Sequence, residues 1–345
     1  VTDVIASLPK TDLHLHLIGS ASVDTVLELA KRHPDRGVPT DREALADFYA
    51  FRDFPHFIEV YTAVDALVTT ADDIAALVIG AARDAAASNV RWAEITVTAN
   101  THFMAGIAPA DLHAALTQGR EAARADHGVE LGWIFDIPGE RGLPAADATL
   151  DFLRTHAPEG TVALGLAGME DGVPRARFAD HFAQARALGL KSVVHAGETT
   201  GPDTVWSALR DLEADRIGHG TSATRDPELV THLVEHAVPV EVCVSSNLRT
   251  NSVSDLASHP VAALLAAGVT VCVATDDPGM FDTDLDREYR LIADLAGLDV
   301  AGVCDLARAG VAASYAPDSL KKDLTDRIAD IQVRAQAPLL LDPTN

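Results

Sequence analysis

The stretch Ser192-Val193-Val194-His195-Ala196-Gly197-Glu198 is a short apolar run that stops on polar residues. The construction recurs in Arg216-Ile217-Gly218-His219-Gly220 and in Val273-Ala274-Thr275-Asp276-Asp277-Pro278. Short apolar runs of this kind read as strands buried on both faces of a parallel sheet. Working outward, eight candidates appear, at residues 12–17, 90–97, 131–137, 162–167, 192–195, 216–218, 238–244 and 269–275, several of them about 25 to 35 residues apart. Helix-like sequence follows several, for instance residues 178–188 and 203–212. Eight strands alternating with helices predict an α/β fold, a (β/α)8 TIM barrel, with a doubly wound open sheet as the alternative. A chain of 345 residues suits one such barrel, so a single domain is expected over residues 1–345.

One interval is too long for that alternation. About seventy residues separate the first two strands, and Phe48, Phe51, Phe54, Phe57 and Tyr61 recur within it at helical spacing. Such a stripe ordinarily packs into a core. In a barrel, the loop after a strand's C-terminal end also sits over the active site, so extra helices here are placed to form an apolar lid.

Composition narrows the class. A 48% hydrophobic content can fill a large core. No stretch reaches the roughly 18 uninterrupted apolar residues of a membrane span, and residues 1–10 lack the basic-then-apolar pattern of a signal peptide. Cys243, Cys272 and Cys304 are odd in number and show no CxxC spacing, which argues against a disulfide framework and fits a reducing, cytoplasmic setting. A net charge of −24 argues against nucleic acid, whose binding relies on cationic neutralisation of phosphates. The expected partner is a small molecule.

His14-Leu15-His16 lies at the end of the first candidate strand, and strand alternation points both imidazoles to one side. With 14 histidines in the chain, chance alone gives an HxH in about one of two such sequences, so the pair means little by itself. His195, His219, Asp276 and Asp277 change that, because each sits where an apolar strand stops. In a parallel barrel those ends converge on one face, and histidines with a carboxylate there suit a divalent ion such as zinc. His232 and His236 are four apart on a helix-like segment but lack the HExxH pattern, and read as an ordinary helix face. His33, His56, His102, His113, His127, His156, His181 and His259 have no comparable context.

Taken together, Pro9-Lys10-Thr11-Asp12-Leu13-His14-Leu15-His16-Leu17-Ile18-Gly19-Ser20, the HAGE block at residues 195–198, RIGHG at 216–220, EVCxxSN at 241–247 and TDDP at 275–278 resemble the adenosine deaminase family, in order and spacing, from about residue 8 to about residue 320. The resemblance implies an amidohydrolase-type barrel with one zinc ion per chain, held by His14, His16, His195 and Asp276 with a position left for water. It further implies that His219 holds and orients that water and that Glu198 faces N1 of a purine as the acid. Asp277 would accept a hydrogen bond from the N7 side, and the Gly168 N–H would meet N3. The implied reaction is hydrolytic removal of the 6-amino group of an adenine nucleoside as ammonia. An aromatic amine is a poor leaving group, so the ring must first take hydroxide at C6 while an acid with a raised pKa protonates N1.

One residue departs from the family block. Where the family carries an aspartate for the ribose 5′-hydroxyl, this chain has Ile18. An alkyl group cannot accept that hydrogen bond, so the substrate expected is a 5′-substituted adenosine. Related deaminases act on 6-aminodeoxyfutalosine in menaquinone biosynthesis, on 5′-thio-nucleosides or on adenine, and the first of these, with its apolar extension, is favoured. Plain adenosine is the alternative. A carboxylate on the extension would call for an arginine, with Arg52, Arg175, Arg177 and Arg249 open as choices. Two other readings remain: an inactive nucleoside-binding relative, which could have lost any of the acid, the ligands or His219, and a hydrolase of cyclic amides or phosphoesters. The latter often use two metals bridged by a carboxylated lysine, and Gly165-Leu166-Ala167-Gly168 offers no lysine there.

Overall fold

A computed structural model describes residues 1–52 and 54–336; residues 337–345, included in the single-domain expectation, lie outside the described residues. Strands β1 (Lys10–His16), β2 (Val90–Val97), β3 (Glu130–Pro138), β4 (Thr161–Ala167), β5 (Lys191–Ala196), β6 (Arg216–His219), β7 (Val240–Val242) and β8 (Val271–Val273) form one sheet in sequential order with every pair parallel. The ring closes just past β8, where the Asp276 N–H donates to the His14 carbonyl at 2.8 Å and the His16 N–H donates to the Asp276 carbonyl at 2.9 Å. The fold is the TIM barrel, not the open sheet.

The strands are continuous apolar runs because both faces are covered. In β3, Leu131, Trp133, Phe135 and Ile137 are fully buried. The following helix, Gly142–Thr155, turns Ala145, Ala146, Thr149, Leu150, Phe152 and Leu153 inward, the spacing of one helix face. Phe152 packs on Phe135 with ring centroids 5.0 Å apart. Strand ends differ from the apolar runs for local reasons. β1 starts at Lys10, whose buried ammonium is held by the carbonyls of Ile5 and Leu8 and by Asp286. β7 stops at Val242 because the chain turns into the helix Val244–Arg249.

Among the described residues the long interval holds four α-helices, Val23–Arg32, Arg42–Tyr49, Phe54–Asp65 and Ala71–Ala87, with a single 3-10 turn at Pro34–Arg36. The aromatic stripe is therefore not one helix face. Phe48 lies in the last turn of the second helix, Phe51 lies in the connection, and Phe57 and Tyr61 belong to the third, while the Phe54 side chain lies outside the described residues. Phe57 meets Phe51 at 5.2 Å and Phe281, in the short helix Pro278–Phe281 after β8, at 5.0 Å. The Tyr49 hydroxyl donates to the Ala21 carbonyl after β1 at 2.8 Å. The rings thus tie the insertion to the C-terminal face of the barrel, where a lid was expected. No helix among the described residues is long and apolar enough to cross a membrane.

Candidate active site

The C-terminal ends of β1, β5 and β8 bring His14, His16, His195 and Asp276 together, with one donor atom from each lying within 4.8 Å of all the others. His14 Nδ1 donates to Glu241 Oε2 at 2.9 Å, which leaves the Nε2 lone pair pointing into the cluster. That nitrogen is buried without a hydrogen-bond partner and lies 3.4 Å from Asp276 Oδ1. Asp276 Oδ1 is also 3.2 Å from His16 Nε2, and His16 Nε2 faces His195 Nε2 at 3.1 Å. Lone pairs crowded this closely repel unless a proton or cation sits among them. Burial and the neighbouring imidazoles hold His195 well below its ordinary value, in the neutral form that ligates metals. Burial would lower His14 too, but the Asp276 and Glu241 carboxylates raise it well above its usual value, so a proton at His14 competes with a cation there. The donor set fits a divalent metal.

Two of the site's polar residues have left-handed backbone, His219 at φ +63° and Asp276 at φ +65°. A non-glycine residue held there costs on the order of 1–3 kcal/mol, and such strain gathers at functional sites. Gly218 shows why β6 needs a glycine: a Cβ would lie 2.9 Å from Cε1 of His14.

Around the cluster stand the other residues singled out from the sequence. Glu198 has its carboxyl pushed up to about 8, by burial first and then by the Asp276 and Glu170 carboxylates. Its Oε1 accepts from the Thr250 hydroxyl at 3.1 Å, and its Oε2 lies 3.6 Å from His219 Nε2. Burial holds His219 neutral, down to about 3. Asp277 is raised to about 7 by burial and by Asp276, and its carboxylate lies against Gly19, where a Cβ would meet Oδ1 at 1.5 Å. Ile18, beside that glycine, is 6% exposed and part of the apolar core. Gly168, the first residue past β4, has φ +81°. His232 and His236 stack on one another, 4.0 Å apart, on the helix Pro227–Glu235 and its cap, away from the cluster. Of the four arginines, Arg175 is buried on the Val173 carbonyl, and Arg52 and Arg177 are exposed. Arg249, also exposed, lies 4.6 Å over the Phe51 ring, one residue from Thr250.

Several contributing residues were not anticipated. Glu241, quoted only within a block, orients His14 and receives Arg216 Nε at 2.6 Å. Arg216 reaches on to Glu94 at 2.5 Å, and Glu94 accepts from the Tyr315 N–H at 2.6 Å and from Trp92 Nε1 at 2.8 Å. Charged residues inside apolar strand runs were the available signal. Ser246 donates to Asp276 Oδ2 at 2.6 Å. Glu170 accepts from the N–H groups of Gly197 at 3.1 Å and Glu198 at 2.9 Å, fixing the loop that carries the acid. His259, set aside for lack of context, is buried 3.2 Å from Asn247, which in turn meets His219 at 3.3 Å.

A barrel with this histidine–aspartate cluster on its C-terminal face defines a metal-dependent hydrolase of the amidohydrolase type. The adenosine deaminase family model matches residues 9–331, and the chain belongs to that family. An aminodeoxyfutalosine deaminase of Streptomyces avermitilis is 50% identical, over 90% of this chain and 87% of its own length. An adenosine deaminase of Vibrio cholerae is 33% identical, over 94% of this chain and 99% of its own. Among solved structures, an amidohydrolase from Burkholderia ambifaria with bound Zn superposes with a TM-score of 0.86 at 26% identity, covering 96% of this chain and 94% of that one.

The Glu94–Arg216–Glu241 line yields a test. Arg216→Leu removes the guanidinium that two buried carboxylates share, a loss of about 3–5 kcal/mol. Urea unfolding is expected to show that drop, and an unchanged midpoint would remove the ion line from the account of stability.

Proposed function

We propose that the chain, as a single barrel domain, is a zinc-dependent hydrolytic deaminase that converts the 6-amino group of a 5′-substituted adenine nucleoside to a 6-oxo group, with 6-aminodeoxyfutalosine the favoured substrate. The observation that carries the reaction is the ligand cluster with a proton-holding carboxyl, Glu198, beside it. The 50% identity to an aminodeoxyfutalosine deaminase supports the substrate. His14, His16, His195 and Asp276 would hold one zinc ion. When bound, zinc lowers the pKa of water from about 16 towards about 7 and so supplies hydroxide at neutral pH.

The chain's own groups do the rest. Glu198 holds a proton at neutral pH and gives it to N1 as oxygen adds to C6, where the electron pair of the ring bond moves onto N1. His219 orients the attacking oxygen. The C6–N bond then breaks, and the amine leaves as ammonia with a proton from the added hydroxyl. The Gly168 N–H meets N3. Adenine N7 bears a lone pair and no proton, so the expectation that Asp277 accepts there is corrected: Asp277 must donate, as the protonated acid that its burial favours. Ile18 faces the 5′ end, and Arg249 at the rim meets a carboxylate on the extension. Adenosine itself is the second reading, favoured by the Vibrio cholerae relative.

Metal analysis of the purified protein is expected to return about one zinc per chain, the fourfold donor set leaving one open position. His14→Ala is expected to lower metal content and activity together and His232→Ala neither; two equivalents of metal, or none after zinc supplementation, would overturn the site.

Glu198→Gln keeps shape but loses the proton, and turnover is expected to fall by at least about 10²-fold with metal retained. Because the raised acid is protonated below about 8 and ionised above it, wild-type kcat/KM should decline as pH rises through that value. A Gln variant that turns over at near wild-type rate would remove Glu198 as the acid.

Substrate choice turns on Ile18. A 5′-hydroxyl desolvated against it lacks a partner, at about 1–3 kcal/mol, whereas a 5′ carbon or sulfur substituent gains apolar contact. Ammonia release from a panel of free adenine, adenosine, 5′-deoxy, 5′-thio and aminodeoxyfutalosine substrates is expected to favour 5′-substituted compounds over adenosine by at least about tenfold in kcat/KM. Ile18→Asp should narrow the gap. Adenosine equal to or better than every analogue leaves plain adenosine deamination as the reading.

A further inference from the structure

We propose that His259, acting through Asn247, sets the tautomer of His219, so that His219 presents an N–H rather than a bare nitrogen to the reacting oxygen. The inference rests on the reading of His219 as the group that orients that oxygen. His259 touches none of the reacting groups, so it is a positioning residue.

The chain of hydrogen bonds starts from a group with only one possible role. The Val261 backbone N–H, at the start of the helix Val261–Ala266, donates to His259 Nδ1 at 3.2 Å. That nitrogen must be bare, so the proton of the neutral ring is on Nε2. Burial supports the neutral form, bringing His259 down to about 4. Nε2–H then faces Asn247 at 3.2 Å, and the atom it meets must be the carbonyl Oδ1. This fixes the orientation of the amide, which places Nδ2 towards His219 Nδ1 at 3.3 Å and Ser252 Oγ at 3.2 Å. A donating amide requires His219 Nδ1 to be bare as well. The proton of His219 is therefore on Nε2, the nitrogen 3.6 Å from Glu198 Oε2 and 3.9 Å from Asp276 Oδ2.

Bulk solvent does not compete with the chain of bonds, since Asn247 is 0%, His219 1% and His259 5% exposed. With a proton already on Nε2, His219 cannot take one from the nucleophile. It can hold the oxygen by donation, and it keeps that bond as charge builds on the oxygen. A mixed tautomer would lose the donor in part of the molecules.

The test reads the tautomer directly, by 15N chemical shifts of histidine-labelled, metal-loaded protein. In the wild type His219 is expected with a protonated Nε2 and a bare Nδ1. His259→Phe keeps the ring volume and removes the donor, so the Asn247 amide can turn and the Nδ1–H form of His219 should appear. Alongside, kcat is expected to fall by about 10–10²-fold, with KM and metal content near wild type. His259→Gln, whose amide nitrogen can occupy the place of Nε2, should restore the Nε2–H form and most of kcat. Should His259→Phe fail to fold, Asn247→Asp offers acceptor oxygens to both imidazoles and is expected to force the proton onto His219 Nδ1. A wild-type His219 that is Nδ1–H, or one that stays Nε2–H in both His259→Phe and Asn247→Asp, overturns the relay. A tautomer that shifts while kcat does not change keeps the relay and instead removes His219 from the chemistry, overturning its role in the proposed function.

Discussion

The site hangs on one pair of backbone hydrogen bonds, those by which Asp276 bridges the carbonyl of His14 and the N–H of His16. They close the barrel. They also set the register that puts the Asp276 carboxylate level with two imidazoles that leave β1 on the same side. A slip by one residue would turn the histidines to the opposite face of the strand. Closing the sheet and assembling the donor cluster are thus one event. The left-handed backbone of Asp276 is the strain that this demands, and the two hydrogen bonds, with Ser246 on the carboxylate, hold it in place.

Behind that seam the barrel interior is not an aliphatic filling. Glu94, Arg216, Glu241 and His14 form a continuous buried line, all at most 2% exposed. Taking each such ion from water costs several kcal/mol, so the line is tolerable only because each charge has a partner and nearly every hydrogen-bonding site is used. Arg216 and His14 keep Glu241 ionised, below its usual range, against the opposing effect of burial. In return Glu241 fixes the proton of His14 on Nδ1 and aims Nε2 at the cluster. A carboxylate behind a ligating imidazole is a recurrent device for fixing ring orientation and raising basicity. Here it is anchored through Arg216 to the far side of the barrel.

The parts of this architecture that repeat along the chain were legible in the sequence. Short apolar runs ending on His14, His16, His195, His219 and Asp276 disclosed both the parallel barrel and the face on which its chemistry collects, because strand alternation and strand direction are local properties. What was hidden depends on contacts between distant segments. Nothing near His259 in sequence says that its ring backs onto Asn247, and Glu170 pins Glu198 across 28 residues. The aromatic spacing of residues 48–61 was read as helical, yet the rings come from two helices and a connection, and Phe51 and Phe57 meet each other and Phe281 through tertiary packing. Glu94 and Glu241 were visible as charges within apolar strands, a pattern that signals a buried partner without naming it.

The environments of three carboxyl groups separate their protonation states although all three are buried. Asp276 keeps its charge, well below the usual range against the opposing effect of burial, because imidazoles and Ser246 face it. Asp277, one residue on, has burial and the Asp276 charge against it and rises to about 7; Glu198 rises to about 8. Neighbouring acids in a low-dielectric site cannot all ionise, and the one with the best partners does so. On the proposed reading, this division matches the substrate atom by atom. Adenine offers only lone pairs at N1, N3 and N7, and each is met by a donor: the Glu198 carboxyl, the Gly168 N–H and the Asp277 carboxyl. The 6-oxo product carries a proton on N1. It therefore meets Glu198 in the carboxylate form that the transfer has just created, and the same carboxyl is complementary to the ring on both sides of the reaction.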